Sequence, residues 1–148
     1  MGGVDVGFDR PPLPLDGDPS DVRRARDWAA LACHEIARSD LIECTRLAVS
    51  ELVTNAQRHG APPIVLWLTG TVEEPRFEVH DGSPRLPVER VAGEHESSGR
   101  GLLLVARAST AWGVETGADG KAVWFTPARE LAAPDALQFV TDGGGARR

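Results

Sequence analysis

Tyrosine is missing from the 148 residues, methionine occurs once, cysteine twice, and aromatic residues amount to 5%. Two cysteines, Cys33 and Cys44, cannot build the disulfide framework of a small secreted domain, and their spacing fits no metal knuckle. Both fall in stretches with helical periodicity, where they read as small buried thiols rather than a redox pair. Apolar runs are short: residues 64–68 fall far below the roughly 20 needed to cross a bilayer. Residues 1–6 lack the basic and apolar leader of a signal peptide, and Val6 stands where a myristoylation signal wants Ser or Thr. Basic side chains are outnumbered, 16 against 22 acidic, for a net charge of −6. That excludes a general electrostatic attraction to nucleic acid or anionic membrane, though not a local basic site. A soluble, cytoplasmic protein is expected, with no direct nucleic-acid or membrane partner.

What is present suits one domain with a real core: 41% of residues are apolar and 26% charged. Residues 1–17, rich in Gly, Pro and Asp, read as a loose segment with a short edge strand near 13–15. Asp18-Pro19-Ser20-Asp21 combines an N-cap carboxylate, proline at N1 and an acidic first turn, and starts a helix. Val22, Ala25, Ala29, Ala32 and Ile36 continue its apolar stripe. Asp40, with Glu43 three residues on, predicts a second helix opened by a capping box. Ala48, Val49, Leu52, Val53 and Ala56 give that helix a core face, and Gly60 is placed as its C′ glycine.

Glu51, Asn55 and His59 stand four residues apart and form a polar column beside this core face. Taken alone, the column fits a solvated flank with an ordinary C-cap. Such a column could also place a carboxylate and a carboxamide to position a hydroxyl and a metal-bound phosphate, though the segment alone favours the solvated flank. Pro62-Pro63 then breaks the helix, and residues 64–68 predict a buried strand. Residues 76–81 alternate, which places Phe77, Val79 and Asp81 on one face, with Asp81 at the strand's end among core residues. A carboxylate there must find a partner or a ligand. Residues 82–99 read as a long loop, functional or disordered. It closes on Gly99-Arg100-Gly101, a predicted helix start whose bare N–H groups and positive dipole end suit an anion. Residues 112–116 and 121–126 predict a β-hairpin around residues 117–120. A frayed tail is expected over 128–148.

Helix with Glu51 and Asn55, strand ending in Asp81, long loop, glycine-flanked helix start: this order resembles the GHKL or Bergerat-fold ATP-binding domain. That domain occurs in histidine kinases, Hsp90-type chaperones, type II topoisomerases and anti-sigma-factor serine kinases. Residues 51–59 resemble the N box, Asp81-Gly82-Ser83-Pro84 the first glycine box and Gly99-Arg100-Gly101-Leu102 the second. The likeness spans residues 20–126 and is greatest to the anti-sigma regulatory kinases of Gram-positive, high-GC bacteria. It implies an α+β two-layer sandwich over residues 18–127, with a mixed, mostly antiparallel sheet covered on one face by three helices. It also implies ATP and Mg²⁺ as cofactors. Asn55 would ligate Mg²⁺, Glu51 would act as general base, and Asp81 would accept a hydrogen bond from the adenine amino group. Residues 85–98 would form a lid, and Gly99, Arg100, Gly101 and Leu102 would hold the phosphates. The implied partners are a sigma factor and a STAS-domain anti-anti-sigma protein, and dimerisation is common among such relatives.

One departure qualifies the likeness. Where the general pattern has glycine two residues after the aspartate, this chain has Ser83, followed by the stiffening Pro84. Ser83 is available to hydrogen-bond near the base, yet its side chain works against close backbone approach. The alternative is therefore a non-catalytic, protein-binding module of the same fold. His34-Glu35 is similar to the phosphoacceptor motif of sensor kinases. It lacks the proline that should follow and precedes Glu51 by too little for a separate hairpin, so it reads as part of the first helix.

Overall fold

The structure, a computed structural model, describes residues 8–85 and 96–133, the side chains of 96–101 excepted. The expected tail beyond 133 and most of the expected lid, 86–95, lie outside the described residues. Strands β1 (Leu13–Leu15), β2 (Ile64–Gly70), β3 (Pro75–Asp81), β4 (Ser109–Gly117) and β5 (Gly120–Pro127) form one sheet in the order β1-β2-β3-β5-β4. Helices α1 (Asp21–Glu35), α2 (Ile42–His59) and α3 (Glu96–Arg107) cover one face of it. This is the expected two-layer α+β sandwich. Every described ladder is antiparallel, so the parallel share of a mixed sheet is not among them. No helix among the described residues is long and apolar enough to cross a membrane.

Strict alternation builds the inner face. Ile64, Leu66 and Leu68 on β2, Phe77 and Val79 on β3, and Val123 and Phe125 on β5 are all buried. The buried strand expected at 64–68 is buried on its inner face only, since Trp67 points outward and is 38% exposed. Antiparallel sheets covered on one side keep one face wet, and β2 obeys that rule. Phe77 and Phe125 are register partners and stack with centroids 5.6 Å apart.

Helix α2 lies over the centre of this face and buries Ala48, Val49, Leu52, Val53 and Ala56. The predicted capping box does not form. A 3-10 turn at Ser39–Leu41 leads into α2 without a side-chain cap, because the Asp40 carboxylate is taken by Arg38 at 2.9 and 3.0 Å. Helix α1 also starts later than predicted, with Ser20 as N-cap. Asp18 accepts from the Ser20 N–H and hydroxyl one turn earlier. Asp21, fully buried, accepts from the Asp16 and Gly17 N–H groups, from Arg24 and from Gln57 Nε2 at 3.1 Å. Gln57 thereby ties one flank of α2 to the start of α1. Cys33 and Cys44 are buried free thiols, as expected, and burial pushes both thiols up from their ordinary value.

After β5 the chain returns along α3, where the Ala128 and Ala132 N–H groups donate to the carbonyls of Ala108 and Arg107. The outer sheet face carries a polar network. Arg76 lies 3.9 Å over the Trp124 ring and pairs with Glu78 at 3.2 Å, while His80 contacts Glu78 at 2.9 Å. Burial pushes the Glu78 carboxyl up, but the His80 hydrogen bond, Arg76 and Thr69 outweigh it and hold it below its ordinary 4.5.

Two predictions follow from this packing. Phe77→Ala, which opens a cavity against Phe125, is expected to lower unfolding free energy by about 3–5 kcal/mol in denaturant titration. Glu78 has a depressed folded value, so its contribution is complete above the ordinary carboxylate range and fades as pH falls through the folded value. Glu78→Gln should therefore flatten the acid limb of stability below about pH 4.5, read by thermal unfolding across pH.

Candidate functional site

The C-terminal end of α2 and the ends of β3 and β5 meet at Asp81, against which Gly60 and Gly120 pack. Asp81, on the inner side of β3, is 5% exposed. A carboxylate this buried needs compensation, and two groups supply it through three contacts. Lys121 Nζ lies 2.9 Å from Oδ2 and 3.1 Å from Oδ1, and the Ser83 N–H donates to Oδ1 at 2.8 Å. The ammonium also donates to the Ser83 carbonyl at 3.3 Å. Asp81 and Lys121 are partners in the β3–β5 register, so antiparallel pairing itself sets the ion pair.

Ser83, the departure from the general glycine pattern, thus folds its turn back onto Asp81. Its hydroxyl accepts from the Arg85 N–H at 3.2 Å. Gly60 was expected as a left-handed C′ residue, yet its φ is −96° and it needs no such freedom. Space explains it instead: a Cβ there would sit 2.6 Å from Asp81 Cγ. Gly120, with φ of 142°, lies against the Asp81 carbonyl where any side chain would collide.

Glu51 and Asn55 are partly buried, one turn apart on α2. Gln57 marks the flank that touches α1, and Glu51 and Asn55 stand on the other, the side on which α3 packs. Neither side chain has a hydrogen-bond or ion-pair partner among the described residues. His59, the third member of the column, is exposed in the last turn.

Helix α3 begins at Glu96, three residues before the predicted start. An acidic residue followed by two serines favours a helix N-terminus, and glycine adopts helical angles at modest cost. The Gly99 N–H falls within the unpaired first turn, and that of Gly101 falls beyond it. The Arg100 side chain lies outside the described part. Leu102 packs against the core, so what it offers a ligand is backbone. His34 ends up exposed in the last turn of α1, against Ser39 Oγ at 3.4 Å.

Lys121 was not among the predicted residues, although a signal existed: it is the only lysine in a chain with 16 Lys and Arg. A groove of about 810 Å³ runs beside Ile42, Cys44 and Leu47, at the far end of α2 from Asn55.

The donor set fits a magnesium nucleotide. A half-buried carboxamide oxygen suits a hard cation that keeps waters and phosphate oxygens, and a buried carboxylate suits an amino group. The comparison with known families agrees. The histidine kinase-like ATPase domain family matches residues 15–126, and the chain belongs to it. It is thus an ATP-binding domain of the GHKL type, and ATP, usually with Mg²⁺, is the ligand of that class. No curated protein matches the chain.

Removing one partner of the buried pair leaves the other charge stranded. Lys121→Met is expected to cost about 3–5 kcal/mol of stability, and Lys121→Met with Asp81→Asn to recover a large part of it, in parallel urea titrations.

Proposed function

We propose that the chain is a cytoplasmic ATP-binding anti-sigma regulatory factor with serine/threonine protein kinase activity. It phosphorylates a serine on a STAS-domain anti-anti-sigma partner and sequesters a sigma factor, as a monomer or a homodimer. One observation carries the reading: Glu51 and Asn55 stand one turn apart, half-buried and without partners among the described residues, while Asp81 is held at the end of the neighbouring strand.

In this reading Asn55 holds the metal by its carboxamide oxygen, and Asp81 accepts from the adenine amino group. The first turn of α3, with Gly99, supplies N–H groups to phosphate oxygens, and Arg100 adds charge beside them. Bound Mg-ATP supplies the phosphoryl group and the charge neutralisation that phosphoryl transfer depends on. Glu51 would take the proton from the incoming serine hydroxyl as that oxygen bonds to the γ-phosphorus, the bond to the bridging oxygen breaks and ADP leaves. Its position one turn from Asn55 keeps base and metal ligand at a fixed separation on one rigid element.

A second reading, a non-catalytic protein-binding module, is favoured by the way Lys121 and the Ser83 turn already occupy Asp81. Calorimetry with ATP, with and without Mg²⁺, separates the two. The kinase reading expects binding that weakens in Asp81→Asn and loses its Mg²⁺ dependence in Asn55→Ala. Glu51→Gln is then expected to slow phosphate transfer to a serine-bearing STAS protein by roughly 10²–10⁴-fold with ATP affinity unchanged. No binding at millimolar nucleotide rejects the kinase and leaves the module.

A further inference from the structure

We infer that Lys121 is a second base-reading group, donating to the ring nitrogen N1 of adenine while Asp81 accepts from the neighbouring amino group. The inference rests on the ATP reading above and adds to it the residue that completes adenine recognition. This cation is unusual in kind and place: it is a lysine, and it is buried. The chain uses arginine at every basic position except 121. Arginine brings a rigid fork of five donors, whereas lysine brings a compact point charge whose three protons rotate. A site that must release one hydrogen bond and make another in the same small space favours the ammonium.

The contacts show how the exchange works. Lys121 Nζ reaches both oxygens of one carboxylate, at 2.9 and 3.1 Å, and the Ser83 carbonyl at 3.3 Å. Releasing one of the two Asp81 oxygens frees a proton on the ammonium and a lone pair on the carboxylate together. The remaining contacts keep both charges compensated, so neither is stranded. What opens is an acceptor beside a donor, complementary to the adjacent amino group and N1 of adenine. Guanine presents a carbonyl and an N–H in the opposite order. With the phosphates anchored toward Asn55 and α3, the base meets Asp81 and Lys121 in one sense only, and guanine would set its carbonyl against the carboxylate. The close packing of Gly60 and Gly120 around Asp81 fixes the acceptor's position and gives this reading its polarity.

A single lysine makes the test direct. Protein labelled with carbon-13 at the lysine ε-carbon gives one side-chain signal, that of Lys121. Saturating Mg-ATP should move it. 1-Deaza-ATP, which keeps the amino group and lacks the N1 acceptor, should move it much less and bind roughly tenfold to a hundredfold more weakly, the worth of a charged hydrogen bond. In Lys121→Met, ATP and 1-deaza-ATP should bind alike. A wild type that does not distinguish the two nucleotides overturns the inference, as does a lysine signal unmoved by bound ATP. So does a 1-deaza penalty that survives in Lys121→Met. Should that variant fail to fold, the two wild-type measurements decide alone. Failure of the wild type to bind ATP at all is a separate result, which sinks the ATP reading and this inference with it.

Discussion

A carboxylate in an apolar layer persists only if a cation and N–H groups are brought to it. Much of this fold serves to bring them to Asp81. The β3–β5 ladder sets Lys121 opposite, the turn after β3 returns the Ser83 N–H, and two glycines let α2 and the β4–β5 hairpin close in. These elements come from three stretches of chain: the end of α2, β3 with the turn after it, and the β4–β5 hairpin. Their agreement on one buried carboxylate is a strong specification of register, because a slip of one residue on β3 would turn Asp81 to solvent and His80 into the core.

Helix α2 carries the second constraint. One face supplies Val49, Leu52 and Val53 to the core, one flank holds α1 through Gln57, and the other presents Glu51 and Asn55. Core packing, which fixes the helix against rotation, therefore also fixes the direction of the would-be base and metal ligand. A site on a helix whose inner face is buried from Cys44 to Ala56 is held more rigidly than one on a loop.

Much of this was legible in the residues. Alternation on β3 placed Asp81 among core side chains, and four-residue spacing placed Glu51 and Asn55 together on α2. The β4–β5 hairpin followed from its turn residues. Where local reasoning failed, a competing partner explains it. Asp40 resembled a capping residue, but Arg38 claimed its carboxylate. Gly60 resembled a left-handed cap, but it is there to make room for Asp81. Trp67 sat in an apolar run, yet its strand has only one covered face.

The sequence by itself determined the element order, the polar column of α2, the buried end of β3 and the family to which these belong. Periodicity and turn chemistry are local properties, so they survive being read one segment at a time. Tertiary structure decided which groups meet. Residues 81 and 121 are forty positions apart, and nothing local to either shows that one will neutralise the other. Only the order of strands in the sheet brings them into register. The pairing of Lys121 with Asp81, and the recognition of adenine inferred from it, belong to the fold rather than to any stretch of chain.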